Sequence, residues 1–120
     1  MSEVVYTDEF EAWWNSLDEA DQDAVQFSVS LLRQFGVTLG HPHSSAIKGS
    51  KHRLRELRCQ SSGRPLRVFY AYNPARDAVM IIGGDKAGDD RFYERHVKTA
   101  EELWDRYLAE RAWEREPDDD

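Results

Sequence analysis

The chain has almost no cysteine. Cys59 stands alone, so no disulfide can form within it. Lacking a disulfide framework, the protein is expected in a reducing compartment, the cytoplasm. Long apolar runs are also missing, so no transmembrane helix and no membrane partner are expected. The opening residues, MSEVVYTDEF, lack the basic region and apolar core of a secretory signal. Several chemical signatures are absent too. No Gly-x-Ser-x-Gly elbow occurs. The glycines of GGDKAGDD do not have P-loop spacing, and no Ser or Thr follows Lys86. Asp85, Asp89 and Asp90 do not fit an EF-hand loop. His41 and His43 form a pair without a third ligand nearby. No metal or cofactor is expected.

Positive charge is nearly missing from the first 47 residues, where one arginine faces eight acids. It is concentrated in residues 48–76, where eight Lys or Arg face Glu56 alone. Residues 77–120 are acidic again, with seven bases and fourteen acids. The net charge of −7 therefore hides a basic centre, an electrostatic footprint suited to a polyanion.

At 120 residues the length suits one domain, which we place at 1–113 with a frayed acidic tail at 114–120. Val4-Val5-Tyr6 reads as a short strand. Asp8 reads as an N-cap with Glu11 as its capping-box partner. Phe10, Trp13, Trp14 and Leu17 follow helical spacing, and Asp18 restarts the pattern. A second helix then carries Ala24, Phe27, Val29, Leu31, Leu32 and Phe35, closed by Gly36. Residues 36–50 read as a loop. Three strands follow, Leu54–Gln60, Leu66–Tyr72 and Ala78–Ile82, joined by short turns as an antiparallel meander. Gly83-Gly84 is expected to end the last strand. A final helix runs from about Asp90 to Trp113. The fold class is α+β: an N-terminal αα-hairpin packed on a small curved, mainly antiparallel sheet, with a C-terminal helix. One sheet face is expected to stay open and to collect the strand arginines.

Metal-free RNA cleavage needs charge stabilisation at the phosphorane and groups that move protons. Arg58, Arg67, Lys86, Arg91 and Tyr93 are placed to meet at one end of the meander. Glu56, His52 and His96 are all open as proton-transfer groups. Asp89 and Asp90 read as acids complementing a helix start. Cys59 reads as a small core residue.

The stretch from Leu54 to Leu108 resembles toxins of the RelE/ParE superfamily, closest to the HigB-like, phage-derived group of type II toxin–antitoxin systems. The likeness rests on Glu56-Leu57-Arg58, on Gly63 followed by Arg67-Val68-Phe69-Tyr70, on an apolar strand ending in Gly and Lys86, and on Ala100 in the last helix. It implies catalytic roles for Arg58, Arg67, Lys86 and Tyr93. Lys48, Lys51, Arg53, Arg55, Arg64 and Arg91 are then expected to bind RNA. Ala87 stands where many relatives have a second basic residue. The implied activity is ribosome-dependent cleavage of translated mRNA. The implied partners are a helix-turn-helix antitoxin, the ribosome and mRNA, in a homodimer or a toxin–antitoxin heterotetramer. Two other functions fit the same fold: a ParE-like, non-catalytic inhibitor of DNA gyrase, and a degenerate member that only binds an antitoxin.

Overall fold

The computed structural model describes residues 3–111. The expected helix end at Trp113 and the tail 114–120 lie outside the described residues. In chain order the elements are β1 (Val4–Tyr6), α1 (Asp8–Asn15), α2 (Glu19–Phe35), a 3-10 turn (Gly36–Thr38), β2 (Ser44–Ala46), β3 (Arg55–Ser61), β4 (Arg64–Tyr72), β5 (Ala78–Asp85) and α3 (Phe92–Glu110). The five strands form one sheet in the order β1-β5-β4-β3-β2. Only the β1–β5 pair is parallel. The α+β class, the αα-hairpin, the antiparallel meander and the C-terminal helix are as expected.

Both faces of the sheet are covered, which corrects the expectation of an open face. Alternation along β4 explains it. Leu66, Val68 and Tyr70 join Val25, Val29 and Leu32 of α2 in one apolar layer. Phe69 and Ala71 join Phe92, Ala100 and Trp104 of α3 in the other. The strand arginines divide by the same rule and do not gather on one surface.

Other details depart from the sequence reading. Thr7, not Asp8, caps α1: its Oγ1 accepts from Phe10 N at 2.9 Å. Thr7 Oγ1 also donates to Ile81 O, which ties the cap to the sheet and favours this position. Asp18 and Gly36 flank α2 as read, Gly36 with φ 58°. The second-helix stripe is different, because Phe27 and Phe35 are exposed while Val25 and Ser28 are buried. The segment 36–50 contains an edge strand, β2, paired with β3. Most consequential, β5 continues through Gly83 and Gly84 instead of ending there. A Cβ on Gly83 would lie 2.4 Å from Trp13 Cζ3, and one on Gly84 2.6 Å from His96 Nε2. These glycines are packing positions that admit α1 on one face and α3 on the other.

Candidate functional site

The site forms where β3 and β4 run under the first turn of α3. Arg58 and Arg67 are cross-strand partners. Glu56 is two residues from Arg58, so both point to the same face. At the same level β5 contributes Gly84, opposite Arg67, and has no side chain there. Phe92 and His96 close onto that gap, which brings the start of α3, and Tyr93 with it, down to the strands.

Glu56 is the centre of the cluster and is 5 % exposed. Tyr93 Oη donates to its Oε1 at 2.6 Å. Ser45 Oγ donates to its Oε2 at 3.0 Å. Arg58 Nη2 lies 3.3 Å from the same oxygen and donates to Ser45 Oγ at 3.1 Å. Arg67 Nε stands 3.5 Å from Oε1, an ion-pair distance, while its Nη1 donates to Leu66 O at 3.0 Å. Among the described residues, the buried Nε–H groups of Arg58 and Arg67 have no hydrogen-bond partner. Two guanidinium groups are therefore held against one carboxylate, with their Nε–H groups turned inward from solvent. Burial first, and then the Glu56 carboxylate, raise the Tyr93 hydroxyl above its ordinary pKa, with Arg67 opposing. Tyr93 is thus a protonated donor at neutral pH.

Lys86 Nζ sits over the Tyr93 ring, 5.3 Å from its centroid, a cation–π contact. The aspartates near Lys86 are engaged elsewhere. Asp85 pairs with Arg64 at 2.8 Å and accepts from Ala87 N. Asp89 pairs with Arg95 and accepts from Arg91 N at the helix start. The ammonium of Lys86 forms no ion pair among the described residues. A shallow groove of about 800 Å³ opens beside the cluster, lined by Ser45, Lys48, Glu56, Arg58, Tyr93 and Lys98 among others.

The structure thus brings together Arg58, Arg67, Tyr93 and Lys86, with Lys48 at the groove. It separates the rest. Arg55 reaches Ser44 and Tyr70 on the α2 side. Arg64 is held by Asp21 and Asp85. Lys51 is pinned on α3 by Asp105, and its backbone N–H donates to Glu101. Arg91 pairs with Glu94 on the exposed start of α3, and Arg53 is exposed in the loop before β3 with φ 57°. Of the three proton-transfer groups left open by the sequence, Glu56 touches the cluster. His52 pairs with Asp105, and His96 stacks on Phe92 with centroids 4.1 Å apart. Ser45 and Lys98 were not singled out from the sequence. Ser45 follows from pairing with Glu56 across β2–β3, and a three-residue edge strand leaves little pattern to read. Among the described residues, no three His, Cys, Asp or Glu side chains gather as a metal site would require.

A family profile described as phage-derived protein Gp49-like matches residues 12–105. The chain belongs to the Gp49-like family. Two Mycobacterium tuberculosis proteins extend the comparison. One, named as toxin HigB2, is 36% identical over 102 residues, covering 82% of this chain and 51% of that protein. This chain therefore spans about half the length of that relative. The other, named as toxin HigB3, is 32% identical over 108 residues, covering 88% of this chain and 93% of that protein. Among solved structures, a doubly mutated E. coli toxin RelE in the free state aligns with a TM-score of 0.57 and 10% identity. That alignment covers 81% of this chain and 96% of RelE, and it shows a shared fold. The HigB-like character read from residues 54–108 stands with the family match and these relatives.

Proposed function

We propose that this Gp49-like protein is the toxin of a type II toxin–antitoxin pair and cleaves translated mRNA at the ribosome. The observation that carries this is the convergence of Arg58, Arg67 and Tyr93 on Glu56 beside a groove that Glu56, Arg58 and Tyr93 line. The toxin names of its relatives support the wider assignment. A cytoplasmic location and a helix-turn-helix antitoxin belong to the same proposal.

The chemistry runs through the ribose 2′-hydroxyl. Glu56 takes its proton as the oxygen attacks the adjacent phosphorus. Arg58 and Arg67 stabilise the charge that develops on the phosphorane oxygens, and Lys86 adds a third cation. Tyr93 gives its proton to the departing 5′-oxygen. The products are a 2′,3′-cyclic phosphate and a 5′-hydroxyl. Glu56 then returns its new proton to Tyr93 along their 2.6 Å hydrogen bond, which resets both groups.

The test is induction in cells beside a purified ribosome assay. Wild type should arrest growth, with translation failing first and mRNA cut. Arg67→Ala and Lys86→Ala should relieve arrest while circular dichroism shows an intact fold. Full toxicity in both variants would sink the site assignment. DNA damage with intact mRNA would replace this reading by gyrase inhibition.

A further inference from the structure

Helix α2 has two apolar sides, and the fold fully buries one. Val25, Ser28, Val29 and Leu32 are buried against the sheet. A second stripe, Ala20, Ala24, Phe27, Leu31 and Phe35, follows helical spacing one side round, with Ala24 half-buried and Leu31 half-buried against the edge of the core. Phe27 is 61% exposed, Phe35 47%, and Val37, just past the helix, 75%. Phe27 and Phe35 are two turns apart, about 12 Å along the axis. Two phenylalanines kept in water on one side of a helix, bridged by the half-buried Leu31, mark a contact surface.

The charge around the stripe indicates what it takes. Asp18, Glu19 and Asp23 stand at its N-terminal end and form no ion pair among the described residues. Arg33, the one basic residue of α2, reaches Tyr6 Oη on the other side of the helix. A second copy packed through this stripe would bring the same three unpaired acids and no cation from this side of α2. Self-pairing is therefore opposed, and a cationic occupant is favoured.

We propose that the Phe27–Leu31–Phe35 stripe docks an amphipathic helix of a different protein. That helix has apolar anchors at i, i+3, i+4 and i+7 spacing and Lys or Arg where it meets Asp18, Glu19 and Asp23. The inference adds a surface to the toxin–antitoxin reading: a partner held here lies on the α2 face of the sheet, away from the groove at α3. Its test does not depend on catalysis.

The probe is a synthetic amphipathic peptide of roughly 18 residues with a leucine stripe and Lys/Arg flanks. A copy with Glu replacing the cations is the control. Fluorescence anisotropy measures binding, and amide NMR maps it on the full chain. The cationic peptide should bind and move the signals of residues 20–37 while leaving those of Arg67 and Tyr93 in place. Phe27→Asp with Phe35→Asp should weaken binding by about tenfold or more, and Asp23→Lys should weaken it less. Both sites are exposed, so the double variant should stay folded and keep its growth arrest. Equal binding of both peptides, unchanged binding by the double variant, or no binding of either overturns the proposal. So does a wild-type dimer in sedimentation that the double variant dissolves. If the ribonuclease reading fails, the peptide titration is unaffected.

Discussion

Changing Glu56 to Gln keeps the shape of the side chain and removes its charge, and the consequence can be worked from the cluster. Arg67 has a side chain only 10% exposed and Glu56 one only 6% exposed. Leaving a buried cation without its anion costs about 3–5 kcal/mol. Water reaches Arg58, whose side chain is 34% exposed, so its share is discounted. We therefore expect Glu56→Gln to lose about 3 kcal/mol. At about 4 °C per kcal/mol for a domain of this size, Tm falls by about 12 °C. Tyr93→Phe removes one hydrogen bond to a charged acceptor, a loss of about 1.5–3 kcal/mol. Gln can still accept from Tyr93, but more weakly. The double variant should then show a coupling of about 1 kcal/mol. Urea unfolding of the four proteins gives both quantities. Glu56→Gln should also lower the raised pKa of Tyr93, read from tyrosinate absorbance, because the carboxylate no longer opposes ionisation while burial still does. The sign follows from the raised folded pKa. The contribution of Tyr93 is complete below about pH 10 and is lost as pH rises through the folded value. A stability loss below about 1 kcal/mol, or a coupling indistinguishable from zero, would refute the buried-ion argument.

Three more outcomes follow from the packing. Gly84→Ala should destabilise by about 1–3 kcal/mol and depress mRNA cleavage, because a Cβ lies 2.6 Å from His96 Nε2 and 2.9 Å from Phe92 Cε1 and α3 must lift; denaturant titration and the ribosome assay check this together. Asp21 accepts from Ser61 and pairs with Arg64, and these two hold its pKa below the usual carboxylate range. Its stabilisation is therefore present above about pH 4 and lost as pH falls through the lowered value, so Asp21→Asn should flatten the acid limb of a stability–pH curve. Burial pushes the Cys59 thiol up to about 11, so a thiol reagent at neutral pH should label it only as fast as the protein opens.

The local signals in the sequence were the ones that held. Asp18 caps α2 through its own side chain, and Gly36 ends it with a positive φ. The three meander strands were legible because two short turns, Ser61-Ser62-Gly63-Arg64 and Asn73-Pro74-Ala75-Arg76-Asp77, cut the segment into strand-length runs. What failed depended on partners distant in sequence. Thr7 beats Asp8 as a cap because its hydroxyl also reaches Ile81, 74 residues away. Gly83-Gly84 looks like a strand end until Trp13 and His96 are seen filling the space above and below it. The exposed Phe27 and Phe35 share a helical period with the buried face, and period alone does not say which apolar stripe meets the sheet. For the site, residue type identified the arginines, but strand parity sorted them. Arg58 and Arg67 share the α3 face, whereas Arg55 and Arg64 turn to α2. The same parity couples Glu56 to Arg58, a signal present in Glu56-Leu57-Arg58 that a count of charges passes over.

That one acid is what allows a cationic site to exist beneath a helix. Two guanidinium groups paired across β3–β4 would repel, most strongly at the nearly buried Arg67, and arginine does not relieve the strain by losing its proton. Glu56 neutralises part of that charge while the groove is empty and fixes both side chains by direct contact. In the proposed reaction it gives up its negative charge by taking the 2′-hydroxyl proton, as the phosphorane gains negative charge nearby. The charge balance around the arginines is therefore kept through the step, and little reorganisation is required of them. Glu56→Ala and Arg67→Ala should consequently differ in kind. Removing Arg67 takes away transition-state stabilisation and leaves Glu56 still paired with Arg58. Removing Glu56 leaves the cations in place but unanchored. If single-turnover cleavage shows the Glu56 variant losing rate with RNA affinity unchanged or tighter, the carboxylate serves the chemistry. If it loses affinity instead, in step with the Arg67 variant, the role assigned to Glu56 is wrong.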